Sequence, residues 1–395
     1  MRISIVSGFF LPVPPVSGGS TEKSWYNLAR EFAARGHEVT MFSRRWSGFP
    51  AEETSEGVRH VRLRGANHQR QLWRNLLLDF LWSWRVFFAL PTADIVVVNT
   101  VALPAWLGWL KPRAGRVVIM TGRMPKGQYR RYRQVARVLA ASSHVRDKVL
   151  NENPALAAVT RVYGYPIDWR SINQPAAVAP PSLPPFVPDQ VTLGYVGRIH
   201  EEKGLMLLAE ALRLVEQTPG LPPWRLLLCG PSDIARGGSG AVFRGQLLHR
   251  LSQAIPPNRF NLLDPHFNER TLAGVYRRID VFCYPSLAVQ GETFGVAVAE
   301  AMAAGAVPVV SNLACFTDLV RAGENGLVFD HAAPDAAARL AAALVRLLQD
   351  SAQRKQLAAA AREDAKAYDY GTYAAALLAD FAQLTAPAGT ASSPA

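Results

Sequence analysis

Short β-branched runs alternate with longer segments of helical periodicity along this chain, and the alternation is laid down twice. In the first half "RISIVSG", "HEVTMFS", "DIVVVNT" and "RVVIMT" predict buried strands, and in the second "VTLGYVGR", "WRLLLCG", "DVFCYPS" and "AVPVVS" do the same. Between the first two strands lies "STEKSWYNLAREFAARG", where Trp25, Leu28, Ala29 and Phe32 fall at helical spacing and Gly36 closes the segment. "GLMLLAEALRLVEQ", "TLAGVYRRI" and "GVAVAEAMAAG" predict helices in the second half. Strands separated by helices become parallel neighbours joined by crossovers, with helices on both faces of the sheet, so each half is expected to be a doubly wound α/β domain.

The halves are separated by "QPAAVAPPSLPPFVP", six prolines in fifteen residues, which predicts an extended, semi-rigid linker. The expected organisation is a Rossmann-like domain over 1–170, a linker over 171–190, a second such domain over 191–350, C-terminal helices over 351–385 packing back on the first domain, and a disordered tail over 386–395. A length of 395 residues also asks for more than one core. Two doubly wound domains present the C-terminal ends of their strands to a central cleft, where loops and helix N-termini converge on ligands.

Composition narrows the class. With 49% hydrophobic and 19% charged residues the chain is globular. Cys229, Cys283 and Cys315 are widely spaced and form no CxxC pair, which argues against a disulfide framework or zinc knuckle and for a reducing cytoplasm. "MRISIVSGFFLP" reads as a first strand entering a glycine loop rather than as a leader. The longest apolar stretch, "LWRNLLLDFLWSWRVFFAL", is interrupted by Arg74, Asp79 and Arg85, short of a membrane span. Its tryptophans Trp73, Trp82 and Trp84 fit either an interfacial element or a helix packed on the first sheet, and the buried helix is the reading preferred. No D-x-D, HExxH or His/Cys cluster is present, so neither a metal nor a cofactor is expected.

Three stretches carry chemistry. In "YPSLAVQGETFGVAVAEAMAAGAVPVVS", Glu292 and Glu300 are separated by seven residues in an otherwise core-like context. A helix from about Phe294 to Gly305 puts Glu292 in the preceding loop and Glu300 two turns in. Gly291 and Gly295 allow close backbone approach, and the first-turn amides would attract a phosphate. Glu300 could accept from a ribose diol and Glu292 from sugar hydroxyls; the alternative is a surface Glu292 and a structurally paired Glu300. "GYVGRIHEEKG" puts Arg198 and Lys203 at a strand–helix turn between Gly197 and Gly204, suited to a diphosphate or else a solvated loop. His200, within that turn, reads as solvated. "GFFLPVPPVSGGSTEKS" places Gly18 and Gly19 before a helix capped by Ser20 or Thr21.

Together these stretches resemble the family 4 glycosyltransferases, retaining enzymes of the GT-B fold, over nearly the whole chain. The two-glutamate stretch is the most specific part. The resemblance implies two Rossmann-like domains facing a central cleft, the first taking the acceptor and the second the donor. It implies that Arg198 and Lys203 bind the donor diphosphate, that Glu292 holds the transferred sugar, and that these three are the catalytic set. Gly197, Thr293, Phe294, Gly295 and Val296 would line the donor site, with backbone amides of Gly295 and Val296 toward phosphate or sugar. Glu300 would bind the ribose, and Gly18 and Gly19 would close over the diphosphate. Asp168 in "GYPIDW" would be a hinge feature, and "LLDPHFNERT" would meet the base. The implied donor is a UDP- or GDP-sugar. Many members carry a histidine in the loop after "RVVIMT"; here it reads "TGRMPKG", leaving Thr121, Arg123 and Lys126 as polar candidates toward sugar or acceptor. This puts a histidine-dependent role in doubt but not transfer itself, because the leaving diphosphate can take the acceptor's proton. A nucleotide-sugar epimerase and a non-catalytic nucleotide-sugar sensor are the alternatives.

Charge is lopsided. Residues 1–175 hold 25 Lys and Arg against 11 Asp and Glu, and the rest 18 against 20. A basic nucleic-acid-binding protein is a further alternative, but no nucleic-acid motif accompanies the charge and no such partner is expected. The expected partners are a glycan or lipid-linked acceptor and an anionic surface at the inner membrane face, met through "GRMPKGQYRRYRQVAR" as a basic helix in which Arg130, Arg131, Arg133 and Arg137 fall within two turns.

Overall fold

The computed structural model describes residues 1–16, 19–69, 71–174, 180–266 and 268–386. The chain divides into two compact units, Met1–Pro166 with Tyr370–Ala395, and Ile167–Asp369.

The first unit holds strands β1 (Arg2–Val6), β2 (Glu38–Arg44), β3 (Glu52–Ser55), β4 (Val58–Leu63), β5 (Ile95–Val98), β6 (Arg116–Thr121), β7 (Arg137–Ala140) and β8 (Thr160–Val162). Their order is β3-β4-β2-β1-β5-β6-β7-β8, parallel except for the β3–β4 hairpin at one edge. Helices α1 (Ser20–Ala34), α2 (Leu72–Ala89), α3 (Leu107–Leu110) and α4 (Ser143–Glu152) belong to this unit. Burial follows the pattern of the residues: β5 is apolar on both faces, β1 is buried on both from Ile3 to Val6, and α1 turns Trp25, Leu28, Ala29 and Phe32 fully inward.

The second unit carries helices α5 (Trp169–Asn173), α6 (Leu205–Glu216), α7 (Gly240–Ala254), α8 (Glu269–Tyr276), α9 (Val296–Ala303), α10 (Ala336–Gln349) and α11 (Ser351–Ala365). Its strands are β9 (Val191–Val196), β10 (Trp224–Cys229), β11 (Phe260–Leu263), β12 (Val281–Tyr284), β13 (Val307–Ser311) and β14 (Leu327–Phe329), in the all-parallel order β11-β10-β9-β12-β13-β14. The direction of winding reverses between β9 and β12, the switch point outside whose strand ends α/β sheets bind ligands. Cys229, Cys283 and Cys315 are buried, and burial holds their thiols above the usual range.

Five expectations are corrected. The units part after Pro166, ahead of the segment expected as linker, because Ile167 bridges to Asp369 and Asp168 caps α5, accepting from the Ser171 amide at 2.9 Å. The prolines also do not form a free spacer where they are described: the carbonyls of Pro184 and Pro185 accept from Arg278 and Arg225 at 3.0 Å. Residues 175–179 and the tail 387–395 lie outside the described residues. The C-terminal helices separate: α11 packs against α9 and β13, the chain turns extended at Asp369, and α12 (Tyr370–Thr385) packs on α1 in the first unit.

The basic helix expected over Arg130–Arg137 does not form. Gln128–Arg131 make one 3-10 turn, and Arg137 starts β7, where it is buried in a two-pronged pair with Asp380 of α12 at 2.8 and 2.6 Å. Nor is α2 a buried helix. Trp82 and Val86 face the sheet, while Trp73, Leu76, Leu77 and Phe80 are exposed.

Candidate active site

Most of the residues singled out in the sequence leave the C-terminal ends of β9 and β12. After β9 the chain bends at Gly197, makes a 3-10 turn at Glu201–Lys203, and reaches Gly204 at φ 68°. A Cβ on Gly204 would lie 1.9 Å from the Pro285 carbonyl oxygen, so a glycine is what lets the β9 turn rest against the loop after β12. The Leu287 amide donates to the Glu202 carbonyl at 2.7 Å and ties the two loops. His200, expected to be solvated, caps the turn by accepting from the Glu202 amide at 3.2 Å.

At the centre the Lys203 ammonium donates to Glu292 Oε2 at 2.6 Å, with both residues under a tenth exposed. Ser286 Oγ donates to the same oxygen at 3.0 Å. The ammonium also stands 5.4 Å from the centroid of the Tyr284 ring, which stacks on Tyr195. Burial first, and the Glu292 charge second, hold both phenols well above their ordinary range, so they serve as neutral walls. Arg198 donates to the Gly237 carbonyl at 2.8 Å and to Glu202 at 2.6 Å, and its side chain remains 42% exposed.

Helix α9 begins at Val296, two residues later than expected, because Gly295 at φ 96° breaks the helical path; a Cβ there would lie 2.7 Å from the Phe316 ring. No side chain caps the first turn; the Val298 amide donates to the Gly295 carbonyl at 2.9 Å, and the Val296 and Ala297 amides ahead of it have no partner within the helix, which suits an anion. Thr293 and Val296 are half-buried. Phe294, expected to line the donor site, instead turns its ring into the core against Tyr368 at 5.1 Å between centroids. Glu300 is buried in the second turn and accepts from the Tyr276 hydroxyl at 2.9 Å. In the loop after β11, Asn268 caps α8, and Phe267 lies outside the described residues.

In the first unit Gly19 precedes α1 at φ 101°, and a Cβ there would lie 2.5 Å from Glu22 Oε2. Gly18 lies outside the described residues. At the end of β6, Thr121 is turned inward and shares a hydrogen bond of 2.7 Å with the Tyr129 hydroxyl, so it is not offered to a substrate as expected; in the loop that follows, Arg123 and Lys126 are exposed. The next residue, Gly122, lies under the Tyr165 phenol, which would sit 2.7 Å from a Cβ there and which burial pushes up to about 12.

Three residues of this kind escaped the sequence. Glu22 is a buried carboxylate in the first turn of α1, its pKa raised by burial and pulled back by its own amide and Arg123. The signal was a glutamate three residues after a glycine pair. Tyr165 and Tyr276 had no signal, since their partners are remote in sequence. Among the described residues no group of three or more His, Cys, Asp or Glu could hold a metal ion.

Chemically, the β9–β12 crevice gathers a guanidinium, an ammonium and uncapped amides for an anionic group, beside two buried carboxylates able to accept from hydroxyls.

The family model described as Glycosyltransferase Family 4 matches residues 18–163, and that described as Glycosyl transferases group 1 matches residues 190–350. A D-inositol 3-phosphate glycosyltransferase of Xylanimonas cellulosilytica is 26% identical over 433 residues, covering 97% of each chain. A phosphatidyl-myo-inositol mannosyltransferase of Mycobacterium tuberculosis is 31% identical over 191 residues, 47% of this chain and 46% of that one. In structure the chain is similar to a sucrose-phosphate synthase from Thermosynechococcus elongatus, at TM-score 0.73 and 22% identity over 97% and 98% of the two chains. It is also similar to Anabaena HepE, solved with UDP and glucose, at TM-score 0.69 and 16% identity over 97% and 100%.

Proposed function

This chain belongs to glycosyltransferase family 4 and has the GT-B fold, and on that premise we propose that it moves a sugar from a nucleoside diphosphate sugar to a glycan, phosphorylated polyol or lipid-linked acceptor, with retained configuration and without a metal ion. The observation that carries this reading is the buried Lys203–Glu292 pair held at the β9–β12 switch point, beside Arg198 and the uncapped start of α9.

Arg198 and Lys203 then neutralise the diphosphate, where charge grows as the bond from the anomeric carbon to phosphate oxygen breaks. The Gly295 and Val296 amides add to this, and Gly197 keeps the β9 turn open to the phosphates. Glu292 does two things: it orients the Lys203 ammonium and accepts from the hydroxyls of the transferred sugar. Glu300 accepts from the ribose diol. The acceptor oxygen bonds to the anomeric carbon on the face the leaving group vacates, and its proton passes to the departing phosphate oxygen, so no histidine is required. Gly19 borders the corresponding loop of the first unit. The inositol-phosphate and phosphatidylinositol acceptors named for the two relatives favour a phosphorylated acceptor, which the basic first half of the chain would attract.

The test is transfer from UDP-, GDP-, ADP- and dTDP-sugars in EDTA, with the product's anomeric proton read by NMR. An axial donor linkage carried into the product with EDTA present is the expected result. An inverted product, or strict dependence on added Mg²⁺ or Mn²⁺, overturns it.

A further inference from the structure

Helix α2 is apolar on two sides, and the protein covers only one. Trp82 donates its indole N–H to the Ser7 carbonyl at 3.1 Å, and the Asp79 carboxylate accepts from the Val101 and Ala102 amides at 3.1 and 2.8 Å. On the other side Trp73, Leu76, Leu77, Phe80 and Leu81 recur at helical spacing and are 61, 46, 50, 45 and 42% exposed, and Phe88 extends the stripe at 75%. From Trp73 to Phe88 it runs about 22 Å at the α-helical rise. Trp106 stacks on Trp84 at 4.7 Å, bringing up α3, whose Trp109 is 70% exposed. Scattered exposed leucines are ordinary; a continuous stripe of tryptophan, phenylalanine and leucine is not.

Charge selects the occupant. The only acid in α2 is Asp79, and it is buried. Around the stripe stand Arg74, whose guanidinium lies over the Trp73 ring, Arg85, which reaches the Arg64 carbonyl, exposed Arg64 itself, and Lys111, whose ammonium holds the Phe87 and Leu90 carbonyls at 2.7 and 2.8 Å. None of these four forms an ion pair among the described residues. A second copy of the chain, docked by a two-fold axis on this stripe, would bring the same uncompensated cations against one another. An anionic lipid surface supplies both an apolar layer for the rings and phosphates for the cations.

We propose that α2, with Trp109, lies flat in the headgroup–acyl boundary of an anionic bilayer, with the exposed Arg64, Arg74 and Arg85 at the phosphates. This attachment rests on the surface alone and is independent of the reaction proposed above; no helix among the described residues is long and apolar enough to cross a membrane. It replaces the Arg130–Arg137 segment as the attachment face, since Arg137 is spent on Asp380.

The experiment uses the full chain with phosphatidylcholine vesicles and with vesicles that also contain phosphatidylglycerol, read by flotation and by tryptophan emission. Binding to the anionic vesicles with a blue shift is expected. Its electrostatic part should weaken between 0.1 M and 1 M salt, as the Debye length falls from about 10 Å to about 3 Å. Leu77→Ser with Leu81→Ser and Phe80→Ser should lower binding by at least about tenfold, as should Arg74→Gln with Arg85→Gln. These positions are exposed, and unchanged thermal unfolding verifies the fold. Arg130→Gln with Arg131→Gln and Arg133→Gln should bind as wild type does. Vesicle binding that survives the triple serine variant overturns the proposal. So does failure to bind any vesicle, and so does a lipid-free dimer that the serine variant abolishes, which would make the stripe a contact between copies. Flotation needs no donor or acceptor, so a negative result leaves the transferase reading standing, and an inactive enzyme leaves this one standing.

Discussion

Lys203 and Glu292, 89 residues apart in the chain, meet at 2.6 Å in a site where neither has appreciable access to water. Two residues that the sequence places in different roles, one at a diphosphate and one at a sugar, are thus one electrostatic unit. Desolvating both ions is costly, and the pair is tolerable because each has its partner and Ser286 supplies a further donor.

Removing one partner is therefore expected to hurt more than neutralising the other. Lys203→Ala leaves a buried, unpaired carboxylate and should cost about 3–5 kcal/mol of stability. Glu292→Gln keeps a polar contact for the ammonium and should cost less. Both should lower kcat in the fraction that remains folded. Urea unfolding paired with steady-state kinetics reads both quantities. Wild-type kcat in folded Lys203→Ala would reduce the pair to a structural one.

Glu300 and Tyr276 make the complementary case. If the carboxylate holds the ribose, Glu300→Ala should weaken binding of the free nucleoside diphosphate by about 1–3 kcal/mol. Tyr276→Phe removes the 2.9 Å donor without touching the carboxylate, so it should cost about 1 kcal/mol of stability and leave nucleotide affinity nearly unchanged. Calorimetry on the two variants discriminates: equal losses of affinity would mean that Tyr276, not the ribose, determines what Glu300 does.

What was legible in the sequence follows from what is local. The strands of both sheet centres are short runs rich in β-branched and aromatic residues, and the turn glycines flank the charged residues of the β9 loop, so fold and crevice could be read directly. β4 could not, because "VRHVRL" is half basic; its Arg62 is buried only because the Val13 and Pro50 carbonyls and Glu53 receive it. β7 hid in an arginine-rich run for the same reason, since the partner that makes Arg137 a core residue lies 243 positions away. The periodicity of α2 marks a helix, but with apolar residues on both sides it does not say which one the sheet covers.

Glycine geometry gives a sharper test of the β9 turn. Gly204 and Gly36 both have positive φ, 68° and 81°. A methyl group on Gly36 meets nothing within 4 Å, whereas on Gly204 it meets the Pro285 carbonyl at 1.9 Å. Gly36→Ala should cost only the conformational penalty, about 1 kcal/mol. Gly204→Ala adds a backbone collision that must push the β9 and β12 loops apart, about 3 kcal/mol or more together, with loss of turnover. Denaturation midpoints and activity of the two variants measure this, and similar midpoints would mean that the loops are not locked at Gly204.

Asp79 predicts how stability changes with pH. It is buried beneath the exposed stripe of α2, and desolvation raises its pKa from 3.8 to about 6, against the pull of the Ala102 and Val101 amides. A folded-state pKa above the unfolded one means that the folded chain binds the proton more tightly. The resulting stabilisation is complete below the unfolded value and is lost as pH rises through about 6. Its size is about 3 kcal/mol, the shift multiplied by 1.36 kcal/mol per unit. Asp79→Asn removes this titration and leaves every other group in place. The stability of wild type minus that of the variant should therefore fall by up to about 3 kcal/mol between about pH 4 and pH 7. Chemical denaturation of both proteins across that range measures the difference directly. A constant difference would show that Asp79 stays charged throughout, held by the two amides in spite of its burial.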